Sequence, residues 1–312
     1  MEKNVKRNSG FTIVFIFVII LLSVTIVMNY IVYKEKEKLN SESGTQEKNY
    51  NDKVKELETL NAEVQQEEEK IKDLENLDNA IKEVKKDYYS SIKTLEDAII
   101  SKKSDKKIAY LTFDDGPYYN TYEVLKVLEK YNAKATFFTT TINGEYCYDK
   151  KSENCYLVYK EYLKYGHTIA NHTFTHAIRG SLYKSTDNFI TAVKNQENQV
   201  KEQTGGYLTN IVRFPGGSST AKGLKQPIIT ELRKMNYGWV DWSAQDGDGG
   251  NLKTKEQAWS IFTSTIDQNI EVVLLHDYSK ITLSILPDMI EYLQSKGYVL
   301  LPLFYDSNMI NK

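Results

Sequence analysis

From residue 107 to the C-terminus, short β-like runs alternate with helix-like stretches, and this alternation limits the possible fold more than any other feature of the chain. The strand-like runs lie at 107–113, 134–139, 167–171, 211–214, 238–242, 271–276 and 298–303. The stretches between them carry helix ends. Asn120-x-x-Glu123 and Thr254-x-x-Gln257 resemble N-terminal caps, and Gly166, Gly205 and Gly297 stand where C-terminal caps belong. Such alternation predicts an α/β fold with a mainly parallel sheet and helices outside it. Periodicity leaves two forms open: a doubly wound open sheet, or a barrel short of eight strands.

In either form the carboxyl ends of the parallel strands gather on one face, and that face carries the site. Polar residues fall there repeatedly. Asp114 and Asp115 follow the first run, His172 follows the third, Arg213 ends the fourth, and His276 and Asp277 close the sixth. Of the four histidines, His172, His176 and His276 belong to this face; His167 begins its strand and reads as structural.

His172 and His176 are four residues apart, the spacing that sets two imidazoles on one side of a helical turn. With a nearby carboxylate they form an N/N/O metal site with a position left open, as in catalytic rather than structural zinc. Of two adjacent aspartates, one can hold the metal while the other acts as a base on water. His276, arriving from the far end of the chain, is then placed to protonate a leaving group. Arg213 and Asp248 would hold the base and the acid in position and set their pKa values. Together these residues describe metal-assisted hydrolysis.

Four segments resemble, in order, the motifs of the NodB-homology polysaccharide deacetylases, carbohydrate esterase family 4. They are Thr112-Phe113-Asp114-Asp115-Gly116-Pro117, His172-Thr173-Phe174-Thr175-His176, Arg213-Phe214-Pro215-Gly216-Gly217 and Leu274-Leu275-His276-Asp277. The resemblance runs from about Lys107 to Tyr305 and implies a distorted (β/α) barrel of about seven parallel strands. It implies Asp114 as general base, with Asp115, His172 and His176 holding one divalent ion, expected to be zinc. It further implies His276 as general acid, Arg213 orienting Asp114, Leu275 lining the acetyl pocket and the Gly216 N–H donating at the oxyanion. Two departures stand out. Gly216 replaces a frequent aromatic, and the fourth motif, which usually ends in Asp-Trp, keeps an aspartate at Asp248 but lacks the tryptophan. Asp246 competes with Asp248 for that place.

The N-terminal third is of another kind. Residues 11–33 carry no charge, and Thr12, Ser23, Thr25 and Asn29 are their clearly polar members. At ~1.5 Å per residue such a helix spans ~35 Å, enough to cross a ~30 Å hydrocarbon core. No small-residue cleavage site follows, so the run reads as a retained transmembrane helix rather than a signal peptide. Lysines flank it on both sides, so local charge leaves orientation open, and the free amino terminus favours 1–10 as cytoplasmic. Residues 34–105 form a charged stalk. Leu60, Leu74, Ile81, Tyr88 and Leu95 share one heptad line, and Leu57, Val64, Ile71, Ile92 and Ile99 a second, interrupted one. That pattern reads as a coiled coil, with a possible homodimer, or as a single helix lying over the catalytic domain at 106–312.

Lys and Arg number 40 against 42 Asp and Glu, a balance that argues against nucleic acid as a partner. The two cysteines, Cys147 and Cys155, exclude a disulfide scaffold but are expected to close one loop in an extracellular domain. The expected activity is removal of N-acetyl groups from a cell-wall polysaccharide. A tether favours a layer fixed near the membrane, hence peptidoglycan at its N-acetylglucosamine. The alternatives are poly-N-acetylglucosamine, chitin or acetylxylan as substrate, or an inactive tethered carbohydrate-binding scaffold.

Overall fold

The computed structural model describes residues 9–39, 45–141, 155–204 and 208–312. The chain divides into two compact units, Met1–Asp78 and Asn79–Lys312. Cys147 of the expected Cys147–Cys155 bridge and the cap at Gly205 lie outside the described residues.

The first unit holds α1 (Ser9–Leu39) and most of α2 (Thr45–Asp87). Within α1, Val18–Lys38 is long and apolar enough to cross a membrane. Its polar side chains are turned back onto the helix itself. The Ser23 and Thr25 hydroxyls donate to the Ile20 and Leu21 carbonyls at 2.7 and 2.8 Å, and Asn29 Nδ2 donates to Thr25 O at 3.0 Å. These three polar groups are thereby satisfied within their own helix.

In the second unit a π turn (Tyr88–Ile92) joins α2 to α3 (Lys93–Ile100), and β1 (Lys107–Asp114) follows. The rest alternates as expected: α4 (Thr121–Lys130), β2 (Ala135–Thr139), α5 (Cys155–Lys164), β3 (Thr168–Asn171), α6 (Thr186–Thr204), β4 (Ile211–Val212), α7 (Lys225–Lys234) and β5 (Gly238–Trp239). The chain then continues through β6 (Ala244–Gln245), α8 (Lys255–Thr265), β7 (Ile270–His276), α9 (Lys280–Ser295) and β8 (Tyr298–Leu300). All the expected strands are present, most of them shorter than the runs that marked them. β6 is an addition: two residues are too few to show any periodicity.

Every strand pairing is parallel, in the order β5-β4-β3-β2-β1-β7-β6, with β8 beside the start of β1. The consecutive strands β5 and β6 therefore stand at opposite edges of a curled sheet, and residues 240–243 run between those edges. Val240 N–H donates to Val212 O at 3.2 Å on one side of that seam, and Ser243 N–H to Val272 O at 3.0 Å on the other. The β5 edge is covered by the C-terminus, where Trp239 and Asn311 exchange backbone bonds of 3.0 Å.

Along β1, Ile108, Tyr110, Thr112 and Asp114 share the face inside the curl, and Asp114 stands at its carboxyl-end mouth. The opposite end is closed by the last helix before the sheet. Ile99 joins Ile108, Tyr110, Val272 and Leu303 in one apolar cluster, with Ile92 and Leu95 packed against it. Tyr88 stacks on Phe304 with ring centroids 3.9 Å apart. The buried Glu96 carboxylate accepts from the Tyr110 hydroxyl and from Asn308 Nδ2 at 3.2 Å. Burial pushes the Glu96 carboxyl above its usual range.

Two of the expected caps differ in kind. Thr254 forms a full capping box with Gln257. Asn120 makes no cap hydrogen bond; its side-chain amide instead donates to Tyr278 O at 3.0 Å, tying the loop after β1 to the loop after β7. Losing buried Tyr88 and Ile99 alone removes ~3–6 kcal/mol of apolar burial. A 106–312 fragment should accordingly melt roughly 10 °C or more below a 79–312 fragment. Equal melting temperatures would show that the preceding helix is dispensable to the barrel.

Candidate active site

The site is built at the carboxyl ends of β1, β3, β4 and β7. β1 delivers Asp114 into the mouth of the curl. The next residue would point to the opposite face in a regular strand, but Asp115 turns left-handed, with φ of 72°. That conformation costs ~1 kcal/mol for most residues and less for aspartate. The turn leaves the Asp115 carboxylate on the same side as Asp114. Gly116 follows because nothing larger fits: a Cβ there would lie 2.3 Å from Asp277 Oδ2. Asp277 is itself buried and accepts from the Thr121 hydroxyl, and burial pushes its pKa up to about 7.

His172 and His176 meet, with ring centroids 4.8 Å apart, but not on a helical turn. Residues 172–177 are irregular, with left-handed φ values of 66° at Thr173 and 46° at His176. The i, i+4 spacing therefore works through a looped segment, in which backbone turns take the place of helical periodicity. His172 Nε2 and His176 Nε2 lie 3.5 and 3.2 Å from Asp115 Oδ1. His172 Nδ1 lies 2.9 Å from Arg213 O, an acceptor that fixes the proton on Nδ1 and leaves the Nε2 lone pair facing Asp115. Burial lowers the His172 pKa against the opposing pull of Asp114 and Asp115, which keeps the ring neutral.

A nitrogen lone pair aimed at a carboxylate oxygen calls for a cation between them. One ligand atom from each of Asp115, His172 and His176 lies within 4.8 Å of the others. Tetrahedral ligands at ~2.0–2.2 Å from an ion are ~3.3–3.6 Å apart, close to the spacings seen here. These residues fit a divalent metal.

Around this group stand two ion pairs. Arg213 is fully buried, and its Nη1 donates to Asp114 Oδ1 at 2.9 Å and to Thr112 Oγ1 at 2.7 Å. Burial opposes ionisation of Asp114, but the Arg213 guanidinium and the His172 and His276 rings outweigh it and hold the carboxyl below its usual range. On the other flank, His276 Nδ1 lies 2.7 Å from Asp248 Oδ1, and the His276 backbone N–H donates to Asp248 Oδ2 at 2.8 Å. Burial disfavours the imidazolium, yet the Asp248 hydrogen bond and charge, with Asp114 and Asp115, raise the His276 pKa to about 9. His276 Nε2 faces Asp115 Oδ2 at 3.9 Å.

Asp246, the rival for the place beside the histidine, lies one step behind it. It accepts from the Asp248 N–H at 3.1 Å, and the Thr282 hydroxyl lies 2.7 Å from Asp246 Oδ2 and 2.8 Å from Asp248 Oδ2. Burial and the Asp248 charge push the Asp246 pKa up to about 7. Sequence reasoning missed Thr282; its spacing from His276 carries no signal until α9 is folded against the seam.

Gly216 has φ of 73°, and its N–H has no partner among the described residues, so a donor is available at the rim. Leu275 differs from expectation. On β7 it sits opposite Phe113, on the face away from His276, whereas strand alternation gives Leu274 the His276 side. The fully buried His167 accepts from the Ala135 N–H at 3.2 Å and is structural.

With this geometry in view, the similarities to known proteins are specific. A family model described as Polysaccharide deacetylase matches residues 101–237. The peptidoglycan-N-acetylglucosamine deacetylase of Bacillus cereus is 30% identical over 210 residues, covering 62% of this chain and 68% of that protein. The chain belongs to the polysaccharide deacetylase family. The peptidoglycan-N-acetylglucosamine deacetylase of Listeria monocytogenes is 31% identical over 211 residues, but only 40% of its length is covered. Among solved structures, the catalytic domain of the peptidoglycan N-acetylglucosamine deacetylase from Eubacterium rectale matches with a TM-score of 0.59. Its identity is 33%, over 66% of this chain and 93% of that one. The polysaccharide deacetylase is thus a hydrolase of C–N bonds with the curled parallel sheet of its family.

The two adjacent aspartates of this deacetylase should separate in metal content. Asp115→Asn should lose most of its bound divalent ion, and Asp114→Asn should retain about one equivalent, measured by elemental analysis of purified protein. Because ligation needs neutral imidazoles and the His172 pKa is lowered, affinity should also fall in acid, with His172 protonating only below the ordinary imidazole value of 6.5. Metal loss in Asp114→Asn alone would reverse the two positions.

Proposed function

We propose that this deacetylase hydrolyses N-acetyl groups of peptidoglycan, at N-acetylglucosamine, from a membrane-anchored position outside the cell. The observation that carries the chemistry is the opposite protonation of two groups flanking one metal-binding cluster: Asp114 held ionised, His276 held protonated. A hydrolysis that must first remove a proton from water and then give one to an amine needs such a pair.

In this reading Asp115, His172 and His176 hold the ion. A bound divalent ion, zinc by the N/N/O donor set, supplies Lewis acidity to the acetyl carbonyl and acidifies water. Asp114, oriented by Arg213, takes the proton of the attacking water. The Gly216 N–H donates to the carbonyl oxygen as negative charge develops on it. His276, oriented by Asp248, gives its proton to the nitrogen of the leaving amino sugar, and acetate is released.

The choice of peptidoglycan is supported by the printed names of relatives from Bacillus cereus, Listeria monocytogenes and Eubacterium rectale. The anchored arrangement rests on the apolar α1, with 1–10 inside, 11–33 crossing, 34–105 as the spacer and 106–312 outside as the catalytic domain. Protease added to wall-free cells should digest the barrel; full protection would mean the reverse orientation.

Acetate release from purified peptidoglycan tests the activity. Asp114→Asn and His276→Ala should each lose ~10²–10⁴-fold in turnover. Near-normal turnover in Asp114→Asn would refute its role as base, and no acetate from the wild type would refute the substrate.

A further inference from the structure

The fourth motif of this chain lacks the tryptophan that usually follows its aspartate; Gly249 occupies that position and is exposed. A Cβ at Gly249 would stand 3.1 Å from His276 Cε1, so this flank of the imidazole has no side chain beside it. An aromatic does border His276, but it comes from a different element. Tyr278, two residues beyond the histidine, lays its ring near the imidazole with centroids 4.9 Å apart and planes at 32°. Tyr118, from the loop after β1, supports Tyr278 edge-on at 5.2 Å and 76°. The bond from Asn120 Nδ2 to Tyr278 O at 3.0 Å locks the two loops together, so this wall is held from both sides.

Tyr278 is half-buried, and its hydroxyl makes no hydrogen bond among the described residues. A phenol in an enclosed setting normally finds a partner. Here burial and the negative charges of Asp248, Asp115 and Asp114 raise its pKa, so the hydroxyl stays protonated. The ring is committed to His276 and Tyr118, and the hydroxyl is left over for a partner from outside.

We propose that Tyr278, held by Tyr118 and Asn120, contacts the sugar, its hydroxyl exchanging a hydrogen bond with a hydroxyl of the amino sugar. The inference rests on the deacetylase reading above and names a specificity residue within it. A site built to hydrogen-bond a sugar hydroxyl rejects a ring that lacks it, because the polar tip is then left unpaired.

The test uses the full chain in detergent, with the pentamer of N-acetylglucosamine as probe and acetate release as readout. Tyr278→Phe removes the hydroxyl and keeps the ring. Its KM should rise ~3–10-fold, the scale of one neutral hydrogen bond, with kcat within about twofold of wild type. Tyr278→Ala also withdraws the ring from His276 and should lower kcat as well. An unchanged KM in Tyr278→Phe, or a loss confined to kcat, overturns the inference. Absence of acetate release by the wild type from both the pentamer and purified peptidoglycan would instead refute the deacetylase reading of the site, and the two failures are distinguishable.

Discussion

The structure of the site depends on one buried ion pair, Arg213 with Asp114. A guanidinium inside a sheet core costs several kcal/mol unless it is paired and its donors are used. Here Nη1 serves Asp114 and Thr112, Nε serves Val240 O at 3.3 Å, Nη2 serves Asp241 O at 3.2 Å, and the group lies 4.2 Å over the Phe138 ring. Those partners come from β1, β2 and the seam between β5 and β6, so one side chain ties the curl together across its interior. The Arg213 carbonyl also receives the His172 Nδ1 proton. The same residue that keeps Asp114 ionised therefore sets the tautomer of His172, and the two effects cannot be separated by sequence position.

Surroundings then give chemically similar groups different protonation states. Asp114 is pulled down by its cation, Asp246 is pushed up to about 7 by burial and its neighbour, and His276 is raised to about 9. The signs fix how pH acts on the fold. Asp114, with a depressed pKa, contributes stability above its ordinary value of 3.8, and that stability is lost as pH falls through the folded value. His276, with a raised pKa, contributes stability below 6.5, lost as pH climbs through about 9. Both contributions are fully present between 3.8 and 6.5, where both groups also hold the protonation state that the proposed hydrolysis requires.

Much of this was legible in the sequence because strand ends in a parallel sheet must converge. Asp114, His172, Arg213 and His276 were placed together from position alone, and alternation found all strands but β6. What stayed hidden depended on backbone turns or on distant contacts. Left-handed Thr173 and His176 replace a helical turn with a loop, and left-handed Asp115 turns its carboxylate to the side of Asp114; spacing reveals neither. Leu274 and Leu275 are identical as letters, and only the register against β1 tells which one shares the His276 face. Glu96 reads as part of a solvated charged run, yet it is buried because Tyr110 and Asn308, far along the chain, supply its partners.

Arg213 and Asp114 stabilise the fold only as a pair, a coupling that a double-mutant cycle measures. Denaturant unfolding of the wild type, Arg213→Met, Asp114→Asn and the double variant gives the coupling between the two positions. Each single change strands a buried polar partner and should cost ~3–5 kcal/mol. The double variant should lose at least ~1 kcal/mol less than the sum of the two singles. Simple additivity of the two losses would show instead that the carboxylate and the guanidinium are held in place independently.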